Sequence, residues 1–86
     1  MSAPYEIRAV EHLGGHRLRL TFADGLVGDV DLAERLAGRV GPMFEPLRDA
    51  DYFAQVSVDE ELGTIVWPNG ADLAPDVLHE QAMSLA

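Results

Sequence analysis

Three histidines come first among the residues that could do chemistry, because imidazole can bind metals and transfer protons near neutral pH. His12 and His16 flank Gly14-Gly15, so a tight turn there would bring the two rings to neighbouring strands. A zinc site needs a third protein ligand, and no pattern in the sequence supplies one. His79 falls on the outer side of a helical pattern. We therefore interpret all three as surface histidines and predict no metal and no cofactor.

The acids and hydroxyls give no catalytic set either. Asp29 and Asp31 share one face of a predicted strand end, and residues 59–61 form an acidic cluster in a predicted turn. A carboxylate pair serves as acid and base only where an apolar pocket raises one pKa, which a turn beside water does not do. Ser57 lies between two valines on the outer face of a predicted strand, without a nucleophile elbow. We therefore predict that the protein is not an enzyme.

The segment from residue 63 to 72, G-T-I-V-W-P-N-G-A-D, contains the only tryptophan. Trp67 is either a stacking platform for a ligand or a large core side chain whose indole N–H needs an acceptor. Pro68 ends strand pairing because it has no N–H, and Asn69-Gly70 favours a tight turn. Asp72 can accept hydrogen bonds from nearby backbone N–H groups. The structural interpretation is favoured. The candidate partner- or ligand-binding residues are Trp67, Pro68, Asn69 and Asp72.

Charge and composition restrict the partners. The 86-residue chain has 15 acidic residues, six arginines, no lysine, no cysteine and a net charge of −9. Disulfides, thiol nucleophiles and Schiff-base lysines are therefore excluded. An acidic surface repels phosphates, so the sequence predicts no direct nucleic acid binding and favours a protein partner that is basic. No apolar run reaches the roughly 20 residues of a membrane span, and no signal-peptide pattern opens the chain. We expect a cytoplasmic protein without membrane contact.

Alternating apolar and polar residues predict three strands, over residues 5–13, 16–23 and 26–30, joined by two tight turns. The first strand would place Ile7 and Ala9 on its buried face and Arg8 and His12 on its outer face. Arg17 and Arg19 would share an outer face, paired with acids across the sheet. The predicted turn residues in the whole chain are Gly14, Gly15, Asp24, Gly25, Asn69 and Gly70.

Later residues predict helices and two more strands. Asp31, followed three residues later by Glu34, indicates a helix start. Residues 41–55 contain two prolines and predict a loop with short helical turns, and Pro75 starts a last helix. Residues 56–58 and 64–67 predict a strand pair. The fold class is therefore α+β, a single domain over residues 1–86. Its antiparallel sheet has about five strands, a three-stranded meander plus a later pair, with two or three short helices packed on it.

These motifs together resemble a known family. The hairpin reads L-x-L-x-F-x-D-G from Leu18 to Gly25, and residues 63–72 form the most specific match. The other matching positions are Ile7, Val10, Asp31-Leu32, Phe44, Pro46-Leu47, Asp49 and Pro75-Asp76. Over nearly its full length the chain resembles the small prokaryotic family known as domain of unknown function 2442.

The resemblance implies a fold similar to the N-terminal domain that precedes a helix-turn-helix in some two-domain bacterial proteins. It also implies pairing, in neighbouring genes, with another small uncharacterised family in a toxin–antitoxin-like arrangement. It supplies no catalytic residue. Since no helix-turn-helix follows Ala86, we expect protein binding rather than direct repression of transcription.

Our leading hypothesis is a non-enzymatic protein-binding or regulatory module, the antitoxin-like partner in a small two-gene system. One alternative is a small-ligand-sensing domain or minor enzyme with a pocket near Trp67. Another is a self-associating structural domain that forms a homo-oligomer.

Overall fold

Two antiparallel sheets form the framework of the computed structural model, which describes residues 5–38 and 41–84. The first sheet has the order β1–β2–β3. The second sheet pairs β4 with β5. The strands are β1 at Ile7–Gly14, β2 at Arg17–Phe22, β3 at Val27–Asp31, β4 at Ser57–Asp59 and β5 at Thr64–Val66. The predicted α+β class, the meander and the later strand pair are confirmed, with the five strands divided between two sheets.

Two glycine-containing turns join the strands of the meander. Gly14 and Gly15 have φ angles of +112° and +53°, and Gly25 has a φ angle of +91°. Side chains with a Cβ rarely adopt these angles, so glycine allows the tight reversal. In the second turn, the Asp24 carboxylate accepts a hydrogen bond from the backbone N–H of Leu26 at 2.9 Å. The sequence signals for both turns therefore correspond to reversals at these positions.

A bulge in β1 changes which of its side chains face the core. Ile7 lies opposite Phe22 and Ala9 opposite Thr21, so Arg8 is an extra residue in β1 at this point of the register. It shifts the alternation by one position, so Val10 and His12 face inward and Ala9 faces solvent. The predicted inward Ala9 and outward His12 are therefore wrong, because simple alternation does not count an inserted residue.

Four short helical segments pack on the sheets: α1 at Ala33–Ala37, a 3-10 helix at Glu45–Arg48, α2 at Ala50–Phe53 and α3 at Pro75–Ser84. The Asp31 carboxylate accepts from the backbone N–H of Ala33 at 2.9 Å, just before α1. Asp49 does the same for Asp51 at the start of α2, also at 2.9 Å. Within residues 5–38 and 41–84, no helix is long and apolar enough to cross a membrane.

The inner face of the meander and the helices enclose one apolar core. Close approach occurs between β3 and α3, where a Cβ added to Gly28 would lie 2.6 Å from the Cβ of Ala82. Thr64 is the one buried polar residue in the described ranges, and its hydroxyl donates to the carbonyl of Leu73 at 2.6 Å. The buried apolar residues are Ile7, Leu18, Leu20, Phe22, Val30, Leu32, Leu36, Leu47, Phe53, Ile65, Trp67, Ala71, Leu78 and Ala82.

Candidate functional site

An apolar concavity of about 170 Å³ lies beside the indole of Trp67. We call it the Trp67 pocket. Its walls come from α1, the 3-10 helix, α2 and the segments after β5, which are distant in sequence. The lining residues are Leu32, Arg35, Leu36, Phe44, Leu47, Phe53, Trp67 and Leu73. Arg35 is the one charged residue among them, so the pocket is suited to an apolar group.

Trp67 forms a fixed wall of this pocket. Its side chain is only 2% exposed, and its indole N–H donates to the carbonyl of Phe53 at 3.0 Å. The rings of Trp67 and Phe53 have centroids 5.4 Å apart and are tilted by 43°. The indole is therefore a core side chain that also borders the pocket, and the stacking of a ligand on it stays a prediction.

The other three candidate residues lie outside the pocket lining. Pro68 is exposed, and Asp72 is exposed and bridges to Val66. Asn69 has a supporting role, because its amide nitrogen donates to the carbonyl of Met43 at 2.7 Å. Its amide oxygen accepts from the backbone N–H of Ala71 at 3.0 Å. Asn69 thus holds the segment that carries the pocket residue Phe44.

The turn at Asn69 and Gly70 places Trp67 against this segment. Gly70 has a φ angle of +89°, and its N–H donates to the carbonyl of Trp67 at 2.9 Å. No residue other than glycine has a positive φ in the described ranges, so Asn69 does not share this conformation. The Trp67 N–H donates in turn to the carbonyl of Ala71 at 2.9 Å. The segment from residue 63 to 72 therefore forms a strand end and a turn, as the favoured interpretation predicts, and Trp67 is its one residue in the pocket lining.

Arg35 lines the pocket and has N–H donors beyond the one that its hydrogen bond to Gln81 uses. One of its terminal nitrogens donates to the side-chain oxygen of Gln81 at 3.2 Å. Within the part of the chain that the structure describes, no carboxylate forms an ion pair with Arg35. A guanidinium carries five N–H donors, so the bond to Gln81 uses one of the five.

A second concavity, of about 240 Å³, has a different character. We call it the Leu62 groove. Tyr5 and Leu62 are exposed to 40% and 56%, which is unusual for large apolar side chains that lie together. Three carboxylates surround them, and no lining residue is basic. The groove is lined by Tyr5, Glu6, Glu60, Glu61, Leu62, Gly63 and Pro75.

Backbone hydrogen bonds hold the two sides of the Leu62 groove together. The N–H of Ile7 donates to the carbonyl of Gly63 at 2.9 Å and joins the start of β1 to the β4–β5 turn. Within this turn, the Asp59 carboxylate accepts from the backbone N–H groups of Glu61 and Leu62 at 2.9 and 3.1 Å. These bonds keep Leu62 at the tip of an ordered turn. Its exposure is thus a property of the fold.

Of the two arginines predicted to pair with acids across the meander, Arg19 does so, whereas Arg17 forms no ion pair among the described residues. Arg19 donates to Asp29 across β2 and β3 at 2.9 Å. This hydrogen bond lowers the pKa of Asp29 below its ordinary value and raises the pKa of Arg19. Arg8 lies 4.0 Å from Glu6 at the edge of the Leu62 groove. Both pairs are exposed, so they contribute little to stability.

The three histidines are held by separate partners. His12 donates to the carbonyl of Gly15 and His16 to that of Leu47, both at 2.9 Å. His79 lies 2.8 Å from the Asp24 carboxylate and meets the ring of Phe22 edge-on, at a centroid distance of 4.8 Å. The prediction of an exposed His79 is therefore wrong, because β2 covers one side of the ring. No group of three His, Asp or Glu residues in the described ranges could hold a metal ion.

Comparisons with known proteins agree with this fold. The crystal structure of "Putative DNA Binding Protein NE0471" from Nitrosomonas europaea ATCC 19718 is similar to the chain with a TM-score of 0.77 and 30% sequence identity. The similarity covers 93% of this chain and 50% of that chain, so this chain spans half of the longer protein. Among curated proteins, none matches the chain.

The name of the similar protein corrects one prediction. The acidic charge led us to exclude direct nucleic acid binding, yet a protein of this fold at 30% identity is described as a putative DNA binding protein. The exclusion is wrong, since net charge is a property of the whole molecule and does not decide what one face of it can bind.

A family model also matches, over residues 7–84. This range includes all the strands and helices described above and the whole lining of the Trp67 pocket, whereas Tyr5 and Glu6 of the Leu62 groove precede it. The predicted resemblance is confirmed, and the chain belongs to the family described as protein of unknown function (DUF2442).

Proposed function

We propose that the protein is a non-enzymatic binding module, and that its partner is a protein with a basic segment that docks in the Leu62 groove. The observation that carries the proposal is the exposure of Tyr5 and Leu62 inside a ring of carboxylates. Tyrosine is among the side chains that contribute most to interface energy, burial of a leucine adds to it, and surrounding charges select the partner. Apolar anchors with an acidic rim fit a partner that presents both hydrophobic and cationic side chains.

The charge of the whole molecule supports this choice of partner. A net charge of −9 attracts a basic protein before contact and speeds the encounter at low salt. At the groove itself, Glu60 and Glu61 are exposed at the tip of the turn, and no arginine lines the concavity. We further propose that the partner is encoded in the adjacent gene and that the pair forms a small two-gene regulatory system. This part of the proposal is supported by the family resemblance and by no contact in the fold.

The test is a capture experiment with a matched control. The tagged full chain is used to isolate partners from its native host at low salt, and the captured protein is then purified and its direct affinity measured. Leu62→Asp adds a charge inside the groove and should weaken the purified complex by at least about tenfold, since a buried anchor contributes about 1.4 kcal/mol or more. Met83→Asp changes a side chain of similar exposure, 57%, eight residues beyond Pro75 in α3, and should have little effect.

Any one of three outcomes would overturn the proposal. These are that the wild-type chain retains no specific partner, that the captured partner is acidic, or that the Leu62→Asp variant binds the partner as tightly as the Met83→Asp variant does. Raising the salt concentration should weaken the wild-type complex, because part of the attraction is between exposed charges. Light scattering on the free protein tests the alternative of self-association. This alternative predicts a dimer or a larger species, and Leu62→Asp should disrupt it if the Leu62 groove is the contact surface.

DNA binding is the second candidate function, and the N. europaea protein is the observation that favours it. On the meander of this chain, Arg17 and Arg19 share the outer face of β2, and Arg8 lies on β1 beside Glu6. Arg19 is engaged by Asp29, whereas Arg17 lies opposite Asp31 across β2 and β3. Fluorescence anisotropy with duplex DNA at 50 and 200 mM salt tests this candidate. Binding that falls with salt and is lost in Arg17→Gln would support it, and a flat signal at 50 mM salt would end it.

A further inference from the structure

We propose that the Trp67 pocket binds a small carboxylic acid with a single aromatic ring. The ring lies against Trp67 and Phe44, and the carboxylate pairs with Arg35. This inference does not use the Leu62 groove, so it goes beyond the proposed function and either can fail without the other. Size, lining and charge carry it, and they are independent observations of the same concavity.

The size of the pocket fits one ring. The pocket is a concavity of about 170 Å³ that is partly open to solvent, so a ring can enter it from the surface. An apolar cavity of about 150 Å³ lined by aliphatic and aromatic side chains stays dry and takes up benzene in another protein. A two-ring ligand would need the surrounding helices to move apart.

The lining suits an aromatic group in particular. Leu32, Leu36 and Leu47 are at most 6% exposed and give an aliphatic floor. The indole of Trp67 is held in place by its hydrogen bond to the Phe53 carbonyl, and the half-buried Phe44 and Leu73 carry the accessible apolar part of the lining. Ring-to-ring contacts contribute beyond the area that they bury. A pocket built from fixed side chains binds more tightly than one that has to be ordered first.

The charge at the pocket selects an acid over a base or a neutral ring. Arg35 is the one charged lining residue, and its hydrogen bond to Gln81 uses one of five donors. A guanidinium can donate two parallel hydrogen bonds to a carboxylate. Asp31 and Glu34 border Arg35 on its other side, in a neighbouring concavity shared with Gln81. They lower the attraction for an anion but form no ion pair with Arg35, and a ligand with one carboxylate meets this repulsion least.

The experiment compares three probes of one shape: phenylacetate, phenylacetamide and phenethylamine. Binding to the full chain is followed by the fluorescence of Trp67, the only tryptophan, and by saturation-transfer NMR of the probe. We expect a Kd for phenylacetate on the order of 1 mM, as for a ligand of this size. The amide should bind about fivefold to tenfold more weakly, because a charged hydrogen bond becomes a neutral one. The amine should bind more weakly still.

Two variants locate the site. Arg35→Gln should remove the preference for phenylacetate over phenylacetamide while the amide still binds, since the apolar walls are unchanged. Leu73→Phe narrows the pocket at a half-buried edge position and should weaken all three probes by a similar factor. Circular dichroism and thermal melting confirm that each variant is folded before its affinity is compared.

The proposal is overturned if phenylacetate and phenylacetamide bind equally well to the wild type, or if Leu73→Phe leaves both affinities unchanged. It is also overturned if neither fluorescence nor NMR detects binding at concentrations well above 1 mM. If the Arg35→Gln variant still binds phenylacetate more tightly than phenylacetamide, the carboxylate of the ligand does not pair with Arg35, and the proposal is wrong. Leu62→Asp should bind phenylacetate normally, which separates this result from that for the protein partner.

Discussion

The indole nitrogen of Trp67 lies 3.0 Å from the carbonyl oxygen of Phe53, and the rings of the two residues have centroids 5.4 Å apart. This pair joins the end of β5 to α2, across 14 residues of sequence. It satisfies the only polar atom of the indole and the carbonyl of the last residue of α2 with one hydrogen bond. The same contact forms one wall of the Trp67 pocket. Stability and the shape of the pocket therefore depend on the same two residues.

Trp67→Phe should lower the free energy of unfolding by about 2–4 kcal/mol. The change removes buried ring volume and one of the two hydrogen bonds to the Phe53 carbonyl, which keeps the bond from the backbone N–H of Val56 at 3.2 Å. Urea denaturation followed by far-ultraviolet circular dichroism measures the loss without needing the tryptophan signal. Tyr52→Phe, next to Phe53 in α2, is the control and should lower the free energy of unfolding by less than about 0.5 kcal/mol. A Trp67→Phe protein as stable as the control would mean that the indole hydrogen bond contributes nothing.

Gly28→Ala should destabilise the packing of α3 on β3 by about 1–3 kcal/mol, as overpacking does. The new methyl group would stand 2.6 Å from the Cβ of Ala82 and 3.3 Å from its Cα. Shrinking the opposite residue with Ala82→Gly has its own cost of about 1 kcal/mol in a helix. In a protein that carries Ala82→Gly, however, Gly28→Ala should lower the free energy of unfolding by clearly less than it does in the wild type. A double-mutant cycle by chemical denaturation measures this coupling. Strict additivity of the two costs would contradict the close approach.

The two hydrogen bonds of the Asn69 side chain should make separately measurable contributions to stability. Asn69→Asp keeps an oxygen that accepts from the N–H of Ala71 but loses the donor to the carbonyl of Met43. Asn69→Ala loses both bonds and should cost about 1–2 kcal/mol, somewhat more than the aspartate variant. Because the Met43 bond holds the segment that carries Phe44, both variants should also weaken phenylacetate binding. Stability loss without any change in ligand affinity would show that Asn69 does not support the pocket.

Acid should destabilise the protein partly through Asp24 and Asp29. A hydrogen bond from the backbone N–H of Leu26, followed by that from His79, lowers the pKa of Asp24, and Arg19 lowers the pKa of Asp29. A carboxyl whose pKa is lower in the folded state stabilises that state above its unfolded pKa. This stability is present at neutral pH and is lost as the pH falls below the ordinary value of 3.8.

Denaturation midpoints measured between pH 7 and pH 2.5 test whether stability falls with decreasing pH, as predicted. Asp29→Asn and Arg19→Gln should each remove part of the acid-dependent loss, and the double variant should resemble either single variant, because both changes break one ion pair. A wild-type protein whose stability rises as the pH falls through this range would show that other groups dominate.

Local sequence was enough to predict much of the framework. Alternating residues over β2, with Leu18 and Leu20 inward and Arg17 and Arg19 outward, indicate a half-buried strand because side chains alternate in extended backbone. The turn signals at Gly14-Gly15 and Asp24-Gly25 fix the hairpins because these residues tolerate the angles that tight reversals need. The bulge at Arg8 was missed, since it depends on how β1 registers with β2 and leaves no local signal.

The candidate site shows where this kind of prediction ends. The residue types of the segment at 63–72 determined a strand end, a turn and a buried indole, because these follow from backbone angles and from the burial of a large ring. Only the tertiary structure decided that Trp67 lines a pocket with Arg35 and Leu47 and that Leu62 is exposed beside Tyr5. These neighbours come from distant parts of the chain. Their distances are set by how helices and sheets pack, so no local pattern contains them.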